Sequence, residues 1–195
     1  MNKYKIIAIC GKSASGKDTL LHKVIKHNRD VHEIISCTTR PPREGEIHGV
    51  NYFFLTEDEF YWKKDGGEML ETTSFRDWNY GTSIDGLAID KINVGVFNPV
   101  GIYNLMNDER VDLYIVQVIA SDKKRLLRSL NREEFPDVDE IIRRYSADKE
   151  DFETFSQIYE PDYVVNNEYC GEYDFEYISN SIVLNAERHW AEQAN

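Results

Sequence analysis

A short loop bounded by two glycines near the N-terminus constrains this chain more than any other segment. Its sequence is Gly11-Lys12-Ser13-Ala14-Ser15-Gly16-Lys17-Asp18-Thr19. An apolar run over residues 6–10 precedes the loop, and a helical pattern follows it from residue 20. Strand, glycine-bounded loop and helix in this order are typical of a phosphate-binding loop. We therefore predict an α/β fold in which this loop binds the phosphates of a nucleotide.

Each part of the loop has a distinct role in this prediction. Gly11 and Gly16 allow the backbone to curl, so that successive N–H groups point at phosphate oxygens. The first turn of the following helix adds its own unpaired N–H groups. Lys17 can reach back to the β- and γ-phosphates as a point charge. The loop residues that we predict to bind this nucleotide are Gly11, Ser13, Ala14, Ser15, Gly16, Lys17, Asp18 and Thr19.

The residue after Lys17 departs from the usual loop. That position ordinarily carries a hydroxyl group for Mg²⁺, whereas here it holds Asp18 and the hydroxyl follows at Thr19. An aspartate could face solvent, or it could hold the metal through a water molecule. The sequence leaves both roles open, and Asp18 and Thr19 are the two candidate metal ligands.

Composition narrows the class of protein further. A chain of 195 residues suits one domain with a substantial core, and a formal charge of −12 disfavours binding to nucleic-acid backbones. The three cysteines are scattered and lack metal-ligand spacing. We find no apolar run of about 18 residues and no signal-peptide pattern. We expect a cytoplasmic protein with neither nucleic-acid nor membrane partners, and the sequence does not indicate an oligomeric state.

The remaining chain alternates strand-like and helix-like segments. This order predicts a parallel sheet with helices on both faces. We predict a strand over residues 31–38, a helix over 84–92, a helix capped by Asp122, and a long amphipathic helix over 139–158. Residues 37–83 differ in composition, with two prolines, short aromatic strands and one helix. Thr56 is the predicted cap of this helix, and Glu59 at its third position completes a capping box. We interpret this stretch as an inserted subdomain.

A second group of polar residues lies within this insertion. Arg40 and Arg43 flank two prolines, and two arginines presented on a stiff loop can bind a second phosphate. The Glu71 carboxylate could accept two hydrogen bonds from an N–H/NH₂ edge, which guanine presents and adenine does not. Tyr52 and Tyr80 could donate hydroxyl groups to a phosphate. Each residue alone also has a purely structural explanation, so the prediction depends on the ordered set.

The segments 37–46 and 49–54 read CTTRPPREGE and GVNYFF. With the phosphate loop, they resemble the guanylate kinases, a family of P-loop nucleoside monophosphate (NMP) kinases, and the resemblance covers most of the chain. It implies that a phosphoryl group passes from a donor nucleotide on the phosphate loop to an acceptor monophosphate. Arg40, Arg43, Tyr52 and Tyr80 would hold the phosphate of the acceptor, and Glu71 would bind its guanine edge. The full set of NMP-binding residues that we predict is Cys37, Arg40, Arg43, Glu46, Tyr52, Glu71, Tyr80, Thr82 and Asn98.

The same resemblance implies a helical lid. Residues 128–132 and 142–147 are similar to its two sides, so Arg132 and Arg144 would close over the transferring phosphoryl group. Asn166 matches a position near the adenine of the donor. The implied catalytic residues are Lys17, Arg40, Arg132 and Arg144. The implied division is a core over about 1–36, 84–131 and 159–195, an NMP-binding insertion over about 37–83, and a lid over about 132–158.

Several positions depart from the family pattern. The family usually has serine at the position of Cys37. It also has an Asp-x-Asp pattern whose two aspartates are replaced here by Val96 and Asn98. Lys12 and Ala14 replace a proline and a glycine of the phosphate loop. These changes concern base recognition, metal binding and the donor phosphates. None of them removes an arginine that the resemblance assigns to phosphate binding.

We therefore expect ATP-dependent phosphorylation of GMP or dGMP, with Mg²⁺ and by in-line transfer. One alternative is a kinase of the same fold that acts on another or a modified deoxynucleotide, as Cys37 and Asn98 would allow. Another is a non-catalytic protein-binding module, against which the intact Lys17 and the lid arginines argue. A nucleic-acid end kinase is disfavoured by the acidic charge.

Overall fold

The computed structural model describes residues 3–132 and 134–193, and it describes the backbone alone at residues 172 and 173. The elements in chain order are β1 (Tyr4–Cys10), α1 (Lys17–His27), β2 (Val31–Glu33), β3 (Cys37–Thr38), β4 (Phe53–Phe54), α2 (Glu57–Asp65), β5 (Met69–Phe75), β6 (Trp78–Ser83), a 3₁₀ turn (Ile84–Gly86), β7 (Ile92–Val96), α3 (Pro99–Met106), β8 (Val111–Ile119), α4 (Asp122–Leu130), α5 (Val138–Ile158), β9 (Tyr163–Asn166) and α6 (Glu172–Gln193).

The larger sheet has five strands in the order β2-β7-β1-β8-β9. Strand β2 pairs with β7 in parallel, with Val31 opposite Ile92, and β8 pairs with β9 in parallel, with Val116 opposite Tyr163. Residues 6–10 of β1 are completely buried. A continuous apolar run is what a strand covered on both faces requires. The predicted parallel sheet with flanking helices is confirmed.

A smaller mixed sheet has four strands in the order β4-β3-β6-β5. Strands β5 and β6 are antiparallel, and their register shifts between Met69 and Glu71, so that Glu71 lies opposite Thr82. Helix α2 begins with the predicted capping box, in which the side chain of Thr56 accepts from the Glu59 N–H. All four strands fall within the predicted insertion.

Two predicted elements are wrong. Residues 31–38 form not one strand but two short ones, because the chain leaves the larger sheet after Glu33 and enters the smaller sheet at Cys37. Residues 84–92 do not form a helix beyond the 3₁₀ turn. There the side chain of Asn93 accepts from the Ala88 N–H and donates to the Ala88 carbonyl oxygen, both at 2.8 Å. The backbone of Ala88 is thus satisfied without helical hydrogen bonds.

A third correction concerns the start of α4. The cap is Ser121, whose hydroxyl accepts from the Lys124 N–H, whereas Asp122 is the first residue of the helix. An acidic residue in the first turn is favourable because the helix dipole is positive there. Serine and aspartate are comparable caps, so residue type alone does not decide between Ser121 and Asp122.

The chain forms two compact units. The first comprises the described residues up to 6 together with 30–113, and it contains the whole smaller sheet. The second comprises residues 7–29 and those from 114 onward, and in it α1 packs against α6 and α4 packs against α5. No helix in the described parts of the chain combines the length and apolar character needed to cross a membrane. The predicted lid includes residue 133, which lies outside the described residues.

Candidate functional site

The glycine-bounded loop connects β1 to α1 in the second unit. Helix α1 begins at Lys17, directly after Gly16, which has a left-handed conformation with φ 100°. A side chain at Gly16 would meet Asn167, because a Cβ atom there would lie 2.2 Å from the Asn167 amide nitrogen. A Cβ atom at Gly11 would lie 2.5 Å from the carbonyl oxygen of Val118. The loop path therefore requires glycine at both positions.

Two side chains from elsewhere in the second unit hold the outer carbonyl groups of the loop. The Asn167 amide donates to the Ser15 carbonyl oxygen at 2.7 Å. Arg128 on α4 donates to the Ala14 and Ser15 carbonyl oxygens at 3.3 and 3.2 Å, and it also donates to the carbonyl oxygen of Asn167 at 3.1 Å. Because these carbonyl groups are engaged on one side, the peptide planes of the loop are fixed. Fixed planes are what a preformed anion site needs.

Asn167, rather than Asn166, contacts the loop. The prediction placed Asn166 near the donor nucleotide, but its exposed side chain accepts from the Glu168 N–H at 3.2 Å in the turn after β9. Asn167 is buried and lines the cavity beside the loop. The family resemblance pointed to Asn166, the last residue of β9, and the next residue is also an asparagine. A role of Asn166 with the donor stays a prediction.

A cavity of about 760 Å³ lies beside the loop, within the second unit. A cavity of this size can accommodate a nucleotide. Lys17 and Thr19 line it, as do three arginines of the predicted lid region: Arg128, Arg132 and Arg144. Arg144 donates to the Glu140 carboxylate at 2.8 Å, and Arg143 donates to the same carboxylate at 2.7 Å. These two arginines lower the pKa of Glu140 to about 2.

The candidate metal ligands lie at the start of α1. The Asp18 carboxylate is 3.3 Å from the Lys17 ammonium group, and both residues line the cavity with Thr19. Among the described residues, no three His, Cys, Asp or Glu side chains lie close enough together to hold a metal ion. The two candidate ligands, the Asp18 carboxylate and the Thr19 hydroxyl, are compatible with Mg²⁺. This ion is usually bound by one or two protein groups and takes its other oxygens from substrate phosphates and water.

The predicted acceptor residues lie in the first unit. Arg40 is 5% exposed, and its guanidinium group donates to the Glu46 carboxylate at 2.8 Å. The same carboxylate accepts from the Arg43 N–H at 2.7 Å. The guanidinium carbon of Arg40 lies 5.5 Å from the centre of the Tyr52 ring, and the Tyr52 and Tyr80 rings pack edge to face. Hydrogen bonding to Glu46 raises the pKa of Arg40. The structure thus brings these five predicted residues together. Through its bonds to Arg40 and Arg43, Glu46 orients the loop that carries both arginines.

Glu71 is a buried carboxylate in the same unit, on the strand paired with the one that carries Tyr80. It is 8% exposed and accepts a hydrogen bond from the Thr82 hydroxyl at 2.8 Å. Burial raises its pKa to about 7, although the Thr82 hydrogen bond acts in the opposite direction. The start of α3 approaches it, since a Cβ atom at Gly101 would lie 3.3 Å from a Glu71 carboxylate oxygen. Such an environment is typical of a functional carboxylate.

Cys37 and Asn98, which depart from the family pattern, also belong to the first unit. Cys37 is buried, and burial raises the pKa of its thiol to about 11. The exposed side chain of Asn98 caps α3 by accepting from the Gly101 N–H at 2.7 Å. Asn98 therefore fixes the helix start that lies against Glu71. An asparagine followed by a proline is a common pattern at a helix start, so the capping role is compatible with the local sequence. The approach of this helix start to Glu71 depends on the tertiary structure.

Sequence reasoning missed three contributors to the phosphate loop. They are Asn167, which donates to the Ser15 carbonyl oxygen, and Arg125 and Asp148, which both contact Ser13. An arginine and an aspartate within charged helices resemble ordinary surface residues. No local pattern distinguishes them from their neighbours, because their contacts join segments far apart in the chain.

A parallel sheet, a glycine-bounded loop after its first strand and a helix that begins at the loop lysine define a P-loop nucleotide-binding protein. Comparisons with known proteins narrow this class. The family model described as guanylate kinase matches residues 3–172. A guanylate kinase of Malacoplasma penetrans is 34% identical over 150 residues, which cover 73% of this chain and 68% of that protein. One of Corynebacterium diphtheriae is 45% identical over 67 residues, 34% of this chain and 35% of that protein.

A solved structure agrees at the level of the fold. The crystal structure of guanylate kinase from Anaplasma phagocytophilum matches with a TM-score of 0.63 and 20% identity, covering 96% of this chain and 87% of that chain. The chain belongs to the guanylate kinase family, whose members are nucleoside monophosphate kinases. The resemblance inferred from the sequence is confirmed.

Proposed function

We propose that this protein transfers the γ-phosphoryl group of ATP to GMP or dGMP. The observation that carries this proposal is the buried Glu71 carboxylate, which has one hydrogen-bond donor, Thr82, among the described residues. A guanine base offers two further N–H donors side by side, which would offset the cost of burying the ionised carboxylate. Membership of the guanylate kinase family supports the same substrate.

The donor would bind to the phosphate loop in the second unit. Loop N–H groups and the Lys17 ammonium group would hold the β- and γ-phosphates. Asp18 and Thr19 would hold Mg²⁺, directly or through water, and the bound ion would neutralise charge on those phosphates. Asn166 would lie near the adenine. The cavity beside the loop supports this assignment, because Lys17, Asp18 and Thr19 all line it.

The acceptor would bind to the first unit. Arg40, Arg43, Tyr52 and Tyr80 would hold its phosphate, and Glu71 with Thr82 would bind the base. The attacking group is a phosphate oxygen, which is already a competent nucleophile, so no general base is needed. The transfer requires that donor and acceptor phosphates come into line. In this assignment, residues 37–83 are the NMP-binding subdomain.

Residues 132–158 would form the lid over the donor. Arg132 and Arg144 would compensate charge on the moving phosphoryl group and help to exclude water, so that ATP is not hydrolysed. The partners are then small nucleotides, and the place of action is the cytoplasm. The free cysteines Cys10, Cys37 and Cys170 are consistent with that reducing compartment.

The test is a coupled ADP-release assay with ATP and Mg²⁺, in which GMP, dGMP, AMP, dCMP, dTMP and dUMP are offered separately. We expect turnover with GMP and dGMP alone. Turnover with AMP or a pyrimidine nucleotide would retain the mechanism and overturn the substrate. A folded protein without turnover on any of the six would contradict the proposal.

A matched variant checks that the activity belongs to this site. Lys17→Met keeps the length of the side chain and removes its charge, so we expect kcat to fall by about 100-fold or more. Lys26→Met is the control, because Lys26 is an exposed lysine on the last turn of the same helix. The same loss in both variants would point to a general effect of charge removal on α1.

A further inference from the structure

The two peptide groups that meet at the Ser13 α-carbon in the phosphate loop are both held by charged side chains. On one side, the Ser13 N–H and hydroxyl donate to the Asp148 carboxylate at 2.8 and 3.2 Å. On the other, the Arg125 guanidinium group donates to the Ser13 carbonyl oxygen at 2.9 Å. Arg125 also donates to Asp148 at 2.5 Å, which closes a ring of three interactions. Two residues outside the loop therefore set the orientation of the peptide groups before and after the Ser13 α-carbon.

Arg125 is buried and has several partners besides Ser13. The residue is 3% exposed, and it also donates to the Asp122 carboxylate at 3.0 Å. Its guanidinium carbon lies 5.2 Å from the centre of the Tyr145 ring. A buried guanidinium group with several partners is costly to leave unpaired, because it has been removed from water. Asp148 is thus held in place by Arg125 as well as by the loop.

Asp148 joins the phosphate loop to helix α5, which carries the predicted lid arginine Arg144. Residues four apart lie on the same side of a helix, one turn from each other, so Asp148 and Arg144 share a side of α5. Arg144 lines the cavity beside the loop. Any shift of Asp148 along or around the helix axis would displace Arg144 by a comparable amount. The position of Arg144 relative to the loop thus depends on Asp148.

We propose that Arg125 and Asp148 are a positioning pair that fixes the two peptide groups at Ser13 and sets the placement of Arg144 over the donor phosphates. This inference rests on the proposed kinase activity. Arg125 also lines the cavity beside the loop, but its guanidinium group is engaged by Ser13, Asp122 and Asp148. In this scheme neither residue of the pair touches the substrate, and both act through Ser13 and through helix α5. The loop then binds phosphate with its remaining N–H groups, since the Ser13 N–H is already engaged by Asp148.

A different role would have an opposite signature. The Asp148 carboxylate could instead occupy the place of a phosphate group on the loop N–H. ATP would then have to displace this carboxylate before it binds. Removing the charge of Asp148 would then tighten ATP binding. Under our proposal the same change leaves ATP affinity nearly unaltered and slows the transfer. The separate effects on KM and kcat therefore distinguish the two roles.

The first experiment compares Asp148→Asn with the wild-type protein. Asparagine keeps the shape but removes the charge that binds Arg125, so we expect kcat to fall by about 10- to 100-fold. We expect KM for ATP and GMP to change by less than about 3-fold, because the affected group does not contact either nucleotide. An unchanged kcat, or a KM for ATP lowered by more than about 3-fold, overturns the proposal. Glu153→Gln is the matched control, an exposed acid on the same helix.

A second variant separates positioning from folding. In Arg125→Met with Asp148→Leu, apolar side chains of similar size replace the ion pair, an exchange that buried pairs often tolerate without loss of stability. We expect a melting temperature close to that of the wild type and a reduction of kcat similar to that of the single variant. A double variant that is stable and as active as the wild type overturns the proposal.

A third measurement does not depend on turnover. Amide hydrogen exchange at Ser13, followed by NMR, should be slow in the wild-type protein and at least about 10-fold faster in the double variant. Binding of ATP should leave exchange at Ser13 unchanged in the wild type. A Ser13 amide that exchanges equally fast in both proteins overturns the pair. Slow exchange in a wild-type protein that phosphorylates no acceptor would instead contradict the proposed function alone.

Discussion

At the scale of single residues, Glu71 links stability to substrate binding. Its pKa lies near 7 in the folded protein, above the ordinary value of 4.5, because the carboxyl group is buried. Only the ionised form presents two acceptor oxygens to a guanine edge. We therefore expect the affinity for GMP to rise between pH 6 and 8. The phosphate of GMP titrates in the same range, so the measurement is the difference in binding between wild type and Glu71→Gln.

The same residue predicts a pH-dependent stability. Between pH 4.5 and about 7, the folded protein keeps a proton on Glu71 that the unfolded chain releases. The stabilisation from this residue is therefore complete below pH 4.5 and is lost as the pH rises through about 7. At pH 8, Glu71→Gln should be more stable than the wild type by up to about 3 kcal/mol, and at pH 4 the two should be similar. Urea unfolding at both pH values measures this, and equal differences at the two would contradict it.

Gly16 provides a test of loop geometry. A methyl group there would overlap the Asn167 amide, and it would have to adopt φ 100°, so Gly16→Ala should both strain the backbone and displace the bond from Asn167 to Ser15. We expect a loss of about 2 to 4 kcal/mol in the free energy of unfolding. Gly67→Ala is the control, because Gly67 also has a positive φ, 73°, but has open space around it. It should cost only about 1 kcal/mol. Equal losses would show that the contact with Asn167 is unimportant.

At the scale of elements, the start of α3 depends on Asn98. The Asn98 side chain caps this helix where it approaches Glu71. Asn98→Ala should cost about 1 kcal/mol in the free energy of unfolding, because the Gly101 N–H loses its partner. Asn98→Asp should keep the cap and gain up to about 1 kcal/mol, since a negative charge is favoured at a helix N-terminus. Denaturant unfolding of both variants tests this, and equal losses would contradict the capping role.

The elements also show where local patterns fail. Residues 31–38 have the composition of one strand, but they contribute to two sheets, because Val31–Glu33 pairs with β7 whereas Cys37–Thr38 pairs with β4 and β6. Composition cannot reveal this division, since both sheets accept the same residue types. The helix predicted over 84–92 fails for a related reason. Asn93, a residue from the next strand, satisfies the backbone of Ala88.

At the scale of the whole molecule, the two compact units should respond to different nucleotides. The phosphate loop and its cavity belong to the second unit, and Arg40 and Glu71 belong to the first. We expect ATP to slow hydrogen exchange mainly in residues 7–29, apart from the Ser13 amide, and in 114–193, and GMP to slow it mainly in 30–113. At 100 times its Kd, either nucleotide should stabilise the protein by about 2.7 kcal/mol. Lys17→Met should abolish the response to ATP and keep the response to GMP. Protection by both nucleotides in one unit alone would contradict this assignment.

The sequence by itself determined the fold class, the phosphate loop and the family. These follow from local chemistry, because glycine spacing, the apolar run before it and the arginines beside two prolines are adjacent in the chain. It also indicated Glu71, although not its burial or its raised pKa. Charge and composition alone would have left the class of nucleotide undefined.

Only the tertiary structure decided which side chains support these residues. Asn167, Arg125 and Asp148 contact the phosphate loop across more than 100 positions of sequence, and packing places the helix start that Asn98 caps against Glu71. Such contacts depend on how distant segments pack, and neither spacing nor periodicity encodes them. The residues that bind a nucleotide were thus recognisable as a pattern. Those that hold them in position became visible only when burial and hydrogen bonding were known.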